Sequence, residues 1–138
     1  MSDSIGDRLP PPLRFELGNV PQSAQANAAL LLSVDESGFV RVALLAATHV
    51  EAVDERHLRL RVHPQSQTAK NLQARPNATL WSVLDAAAYS VRGSVRQAPG
   101  SGQPDPAEWL TFELEITDVL RDFQPDAPLV SGPTYKRQ

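Results

Sequence analysis

The stretch Gln65-Ser66-Gln67-Thr68-Ala69-Lys70-Asn71 places two hydroxyls and one ammonium in the opening turns of a predicted helix. The first turn of a helix carries backbone N–H groups without intrahelical acceptors, and a partial positive charge. Hydroxyl donors and a lysine at that end make a site suited to phosphate or another anion. Each residue also has a plainer reading. Ser66 is an N-cap on local grounds alone, and capping is compatible with anion binding because both use the same exposed helix end. Thr68 and Lys70 read equally well as solvent-facing residues. Arg41 lies among apolar neighbours on a predicted strand, where the plain reading is an exposed face with a surface ion pair.

Other chemistries find less support. The 138 residues include no cysteine, which removes disulfides, thiolate nucleophiles and Cys-based metal sites together. The histidines are His49, His57 and His63. His49 and His63 could lie diagonally across a hairpin, but no carboxylate is clearly placed with them and no helical spacing links them. They read as ordinary polar histidines, and no metal site is expected. His63 precedes Pro64 at the strand end nearest the helix, where it could border a ligand. No Ser-His-Asp arrangement, glycine-rich phosphate loop or GxGxxG motif is present. No residue stands out as catalytic.

Composition narrows the class. Hydrophobic residues make up 41%, as in an ordinary soluble globular domain, and the length suffices for one domain with a core. A net charge of −3 argues against a nucleic-acid partner, which calls for a basic face. The longest apolar run, Ala28 to Leu32, is too short to span a bilayer, so no membrane partner is expected. The opening MSDSIGDRLPPPL has no apolar signal region, and the lack of cysteine fits a cytoplasmic protein.

The elements that would position these residues are mostly strands. Residues 1–21 are polar and proline-rich, with Pro10-Pro11-Pro12 expected to be extended, and read as a flexible arm or one draped over the surface. Ser23 to Ala29 is alanine-rich and suits a short helix. Strands are predicted over 29–34, 39–45, 48–53, 58–63, 78–84, 89–97 and 109–120, separated by turn signals such as Asp35-Glu36-Ser37-Gly38. Val40, Val42 and Leu44 share one face of their strand, and Arg41, Ala43 and Leu45 the other. The helix is predicted over 66–74, stopped by Arg75-Pro76 because a proline disfavours helical geometry in the residue before it. Gly93 inside a strand marks either a bulge or a close approach to the backbone. Trp81 and Trp109 read as core or dimer-contact residues. Ala98 to Asp105 is a Pro/Gly-rich loop, and the tail from Arg121 is polar. Many antiparallel strands with tight turns and one helix imply a mainly β fold, a barrel or a sandwich.

Three places resemble the flavin-binding split-barrel family related to pyridoxamine 5′-phosphate oxidase, over roughly Ala29 to Leu120. Gly38-Phe39-Val40-Arg41-Val42-Ala43-Leu44-Leu45 is similar to the family's G-x-x-R-V-x-L-L strand, whose arginine contacts the flavin phosphate. Ser66-Gln67-Thr68-Ala69-Lys70-Asn71-Leu72, followed by Arg75-Pro76, is similar to S-R-K-A-x-x-L…N-P, whose polar residues hold the same phosphate. Val91-Arg92-Gly93 resembles the V-x-G of a later strand. The resemblance implies a split β-barrel over residues 22–121, flanked by the arm and by a tail at 122–138. It also implies a homodimer with one flavin mononucleotide (FMN) site per subunit at the interface, and a clamp formed by Arg41, Ser66, Thr68 and Lys70. The last strand, with Leu110, Phe112, Leu114 and Ile116 on one face, has apolar surface enough for a core or an interface. The family's basic pair is replaced by Gln67 and Thr68, and the lysine that can follow its first strand by Ala46. Nothing after Leu120 resembles the oxidase's arginine-containing substrate motif. The expected function is therefore an FMN-dependent oxidoreductase of unknown substrate, other than the oxidase itself. A deazaflavin in place of FMN, a non-catalytic flavin carrier or sensor, and a split barrel without a cofactor are the alternatives.

Overall fold

The computed structural model describes residues 2–18, 25–98 and 109–136. In chain order the elements are β1 (Ser2–Ser4), α1 (Pro11–Glu16), β2 (Gln25–Asn27), β3 (Ala29–Val34), β4 (Val40–Leu45), a 3-10 turn (Ala47–His49), β5 (Val50–Asp54), β6 (His57–Val62), α2 (Gln67–Ala74), β7 (Asn77–Leu84), β8 (Ala87–Gln97), β9 (Leu110–Asp122) and β10 (Thr134–Lys136). No helix among the described residues is long and apolar enough to cross a membrane.

Alternation builds the core. Leu58 and Leu60 of β6 stand opposite Leu114 and Phe112 of β9, and all four are fully buried. Side chains on one face of an antiparallel pair meet directly across the ladder, so two alternating strands in register make a continuous apolar layer. The main sheet is antiparallel in the order β4-β3-β7-β8-β9-β6-β5, with β1 joining β9 beyond β6. It curls around Leu31, Leu58, Leu80, Val91, Phe112 and Ile116. Its two end strands, β4 and β5, are consecutive in the chain and joined through the 3-10 turn. The result is a mainly β, curled half-barrel of the expected split-barrel type.

Local signals explain the joints. Asp35 Oδ1 accepts hydrogen bonds from the Ser37 and Phe39 N–H groups, and Gly38 supplies a φ of +86° to close the β3–β4 turn. The turn from β7 to β8 is two residues, Asp85 and Ala86, both at positive φ. This is the mirror-type turn that suits the twist of a hairpin. Gly93 sits at a register shift between β8 and β9. A Cβ there would lie well inside contact distance of the Glu115 carbonyl oxygen. Gly93 thus marks a bulge and a close backbone approach at once. Ser66 Oγ caps α2, accepting from the Ala69 N–H at 3.1 Å, and the helix ends at Arg75 before Pro76.

Several expectations change. Pro10-Pro11-Pro12 is not an extended polyproline stretch, because α1 starts at Pro11. Proline in a first helical turn loses nothing, since its missing N–H has no intrahelical acceptor there. Leu9, Leu13 and Leu17 join the same core as the barrel strands, so the expected loose arm is packed over residues 9–17. The helix expected over Ser23–Ala29 is absent where described: Gln25–Asn27 is the strand β2, paired with β10 in the polar tail, and Ala29 opens β3. Within the predicted loop at Ala98–Asp105, only Ala98 is among the described residues. Phe112, Leu114 and Ile116 lie inside the protomer, so the last strand serves the core rather than an interface.

Two substitutions check this reading in urea unfolding. Gly93→Ala must push β8 and β9 apart and is expected to cost about 3 kcal/mol, the upper end for overpacking. Ser66→Ala removes only the cap and should cost on the order of 1 kcal/mol.

Candidate functional site

Helix α2 lies against β3, β4 and β8 and is fixed by polar contacts rather than by its apolar face alone. Asn71, fully buried, donates from Nδ2 to Ser33 Oγ at 3.1 Å. Its Oδ1 accepts from Gln67 Nε2 at 2.9 Å. One turn on, Arg75 Nε donates to the Val34 carbonyl at 2.8 Å. Asn71 and the C-cap residue Arg75 therefore tie the helix to β3, while Gln67 bonds Asn71 within the helix. A buried amide such as Asn71 is costly unless paired, so these bonds set how far α2 can slide or turn.

That anchoring brings the helix beside Arg41. Arg41 stands directly opposite Ser33 in the β3–β4 ladder, so the two side chains leave the same sheet face. The face is the one on which Asn71 sits. Arg41 is exposed and makes no hydrogen bond or ion pair among the described residues. Among the described residues the surface ion pair allowed by the sequence is not formed.

The start of α2 differs in detail from its sequence reading. The Ser66 hydroxyl donates its only proton to the His63 carbonyl at 2.7 Å while accepting from Ala69. It is committed to the cap and has no proton left for a phosphate. Thr68 is 3% exposed, so its side chain faces inward rather than into solvent. Lys70 is exposed, one turn beyond the cap. Its N–H bonds the Ser66 carbonyl, and that of Ala69 bonds the Ser66 hydroxyl. The Gln67 and Thr68 N–H groups have no acceptor among the described residues. Among the described residues this end therefore presents two backbone amides without acceptors and the exposed Lys70. Asn71, Gln67 and Ser33 were not among the sequence candidates. Their signal was an asparagine on the apolar side of the helix, beside Leu72, where only a paired amide belongs.

The other face of β4 is apolar and open. Val40, Val42 and Leu44 are 58%, 51% and 71% exposed. They stand opposite Val34, Leu32 and Leu30 of β3, and Leu30 in turn stands opposite Trp81 of β7. A band of apolar side chains thus crosses three strands at a sheet end, and no described strand covers the β4 edge. Such an edge invites pairing or covering.

Near the far end of the sheet, His49 and His63 both contact the Trp109 ring, with centroids 4.5 Å and 5.6 Å away. His49 Nδ1 accepts from the Ala46 N–H, which leaves the ring proton on Nε2. Burial, and then the nearby Arg61 charge, hold the His49 pKa below its ordinary value. Among the described residues no three metal-ligating side chains cluster, so His49 and His63 act here as packing partners of an aromatic ring.

No protein-family model matches the chain, and no curated protein matches it in sequence. Solved structures do. A candidate pyridoxamine 5′-phosphate oxidase from Lactobacillus delbrueckii superposes with a TM-score of 0.66 at 14% identity, covering 84% of this chain and 97% of that one. A single-residue variant of HupZ from Group A Streptococcus gives 0.65 at 11% identity over 83% and 99%. An F420 reductase gives 0.53 at 17% identity over 72% and 98%. Identities this low speak to fold alone. By fold, this chain is a split barrel of the pyridoxamine 5′-phosphate oxidase-like type.

Proposed function

We propose that the chain is a flavin-binding protein of the cytoplasm that holds FMN by its phosphate and acts as an oxidoreductase of unknown substrate. The observation that carries this reading is the unpaired state of Arg41 and of the Gln67 and Thr68 amides beside a helix pinned by Asn71. Two converging backbone N–H groups at a helix start and a guanidinium suit a phosphate dianion. Thr68 contributes its backbone amide, Lys70 its charge, and Ser66 the cap that holds the turn open. Flavin, when bound, supplies the hydride and electron chemistry. The chain's own residues then bind, orient and shield it, and none is assigned a catalytic step. Deazaflavin is the second reading, supported by the fold shared with an F420 reductase.

The same reading assigns the apolar band on β4 to a second copy of the chain. A homodimer through Val40, Val42 and Leu44 would cover the open sheet end. Leu44 contacts solvent rather than the core, so Leu44→Glu should change the melting free energy of the protomer by less than about 0.5 kcal/mol. In sedimentation at micromolar concentration, the parent chain should run at twice the chain mass and the Val42→Glu/Leu44→Glu variant at the chain mass. A parent chain that is monomeric while it binds flavin would remove this interface.

Fluorescence titration tests the cofactor. FMN should bind at micromolar concentration and riboflavin far more weakly, because the proposed contacts are to phosphate. Arg41→Ala should weaken FMN by about tenfold to a hundredfold, the worth of one charged hydrogen bond, and leave the melting of the apoprotein unchanged. Equal affinity for FMN and riboflavin would dismiss the clamp. Tighter binding of a deazaflavin carrying a phosphate would favour the second reading.

A further inference from the structure

A cavity of about 410 Å³ lies at the end of β3 and β4 remote from Arg41, between α1, β2 and the 3-10 turn. Leu45, which lines it, is four residues from Arg41, so roughly 13 Å of strand separates the two regions. The volume is that of a small-molecule site. The walls are chiefly small and apolar, from Ala29, Leu45, Ala46 and Ala47 among others; Glu16, Asn27, Ser82 and Thr134 supply polar side chains, and two of these bear on the ligand. Ser82 is 5% exposed, lines the cavity and has no hydrogen-bond partner among the described residues. No buried side-chain polar atom among the described residues lacks a partner, so the Ser82 hydroxyl is not a buried orphan; it is reached from the cavity and can meet a ligand's polar atom there. The second is Glu16, at the end of α1. Its Oε1 accepts from Asn27 Nδ2 at 3.1 Å, and no lysine or arginine among the described residues pairs with it.

The charge of the lining selects the ligand. Among the described lining residues Glu16 is the one ionised group, and none is a cation. An anion would meet a carboxylate with nothing to offset it, whereas an ammonium would gain a charge-assisted hydrogen bond. We propose that this cavity is a second binding site, separate from the α2 region, for a small apolar amine: its body against the alanine wall, its ammonium on Glu16, and a polar atom within reach of Ser82. The site does not depend on the flavin reading.

Three probes of one shape and different charge test it: naphthylmethylamine, naphthylmethanol and naphthoate, titrated calorimetrically at neutral pH into the flavin-free full chain. The amine should bind about tenfold more tightly than the alcohol, and naphthoate weakest. Glu16→Gln should bring amine and alcohol to the same affinity. Ala47→Met, which fills the cavity, should abolish the binding of both. Amide shifts in the parent chain, read by two-dimensional NMR, should centre on Ala29, Ala47 and Ser82 for the amine, which keeps the test valid if the filled variant does not fold. Equal affinity for amine and naphthoate, an amine preference that survives Glu16→Gln, shifts centred elsewhere, or no binding by any probe would each overturn the proposal. A failed flavin titration would leave it standing.

Discussion

The hydrogen bond from Asn71 to Ser33 fixes more of this molecule than its size suggests. It joins the longer of the two described α-helices to the second strand from the sheet's end, inside the core, where neither partner has water to fall back on. Breaking it would strand a buried amide and a buried hydroxyl together. The bond sets the height of α2 over the β3–β4 pair. Through Gln67 it also ties down the first turn, the part whose amides are open. Arg41 owes its place beside the helix to the same register, because it stands across the ladder from Ser33.

The second constraint is the end strand itself. Apart from Arg41, β4 carries apolar side chains on both faces, a pattern that belongs in the middle of a sheet, yet β4 ends it. One face meets the core through Leu45 and half-buried Ala43; the other carries Val40, Val42 and Leu44 into the open. The other end of the sheet is managed differently. Leu9 bonds the Glu55 carbonyl just beyond β5, and Gly18, at positive φ, passes so close to Val50 that a side chain there would not fit. The N-terminal segment thus covers one end of the sheet, and no described strand covers the other.

How much of this could be read from sequence follows from how local each signal is. The β3–β4 turn, the α2 cap and the alternation of the last strand are written within a few residues of themselves, and they were legible. Helix α1 was missed because three prolines suggest an extended chain, although proline is also at home in a first helical turn. The β2–β10 ribbon was missed because three-residue strands have no period to detect. The candidate site was legible only in part. Arg41 was named through the family resemblance and the α2 start from residue type and spacing, but nothing local reveals that the His63 carbonyl takes the Ser66 proton or that Thr68 turns inward. Those depend on how a helix packs, and that depends on Asn71. The cavity beside Glu16 was invisible for the same reason, since its walls come from segments far apart in the chain.

The central claim is that phosphate enters at the first turn of α2 beside Arg41, and that Asn71 holds the turn in place. Amide shifts during titration with FMN address both parts at once. The account predicts that Gln67 and Thr68 show the largest changes among backbone amides, and that Asn71→Ala, still folded by far-UV circular dichroism, loses them. Flavin binding that leaves the Gln67 and Thr68 amides unmoved, or moves them equally in Asn71→Ala, would contradict it.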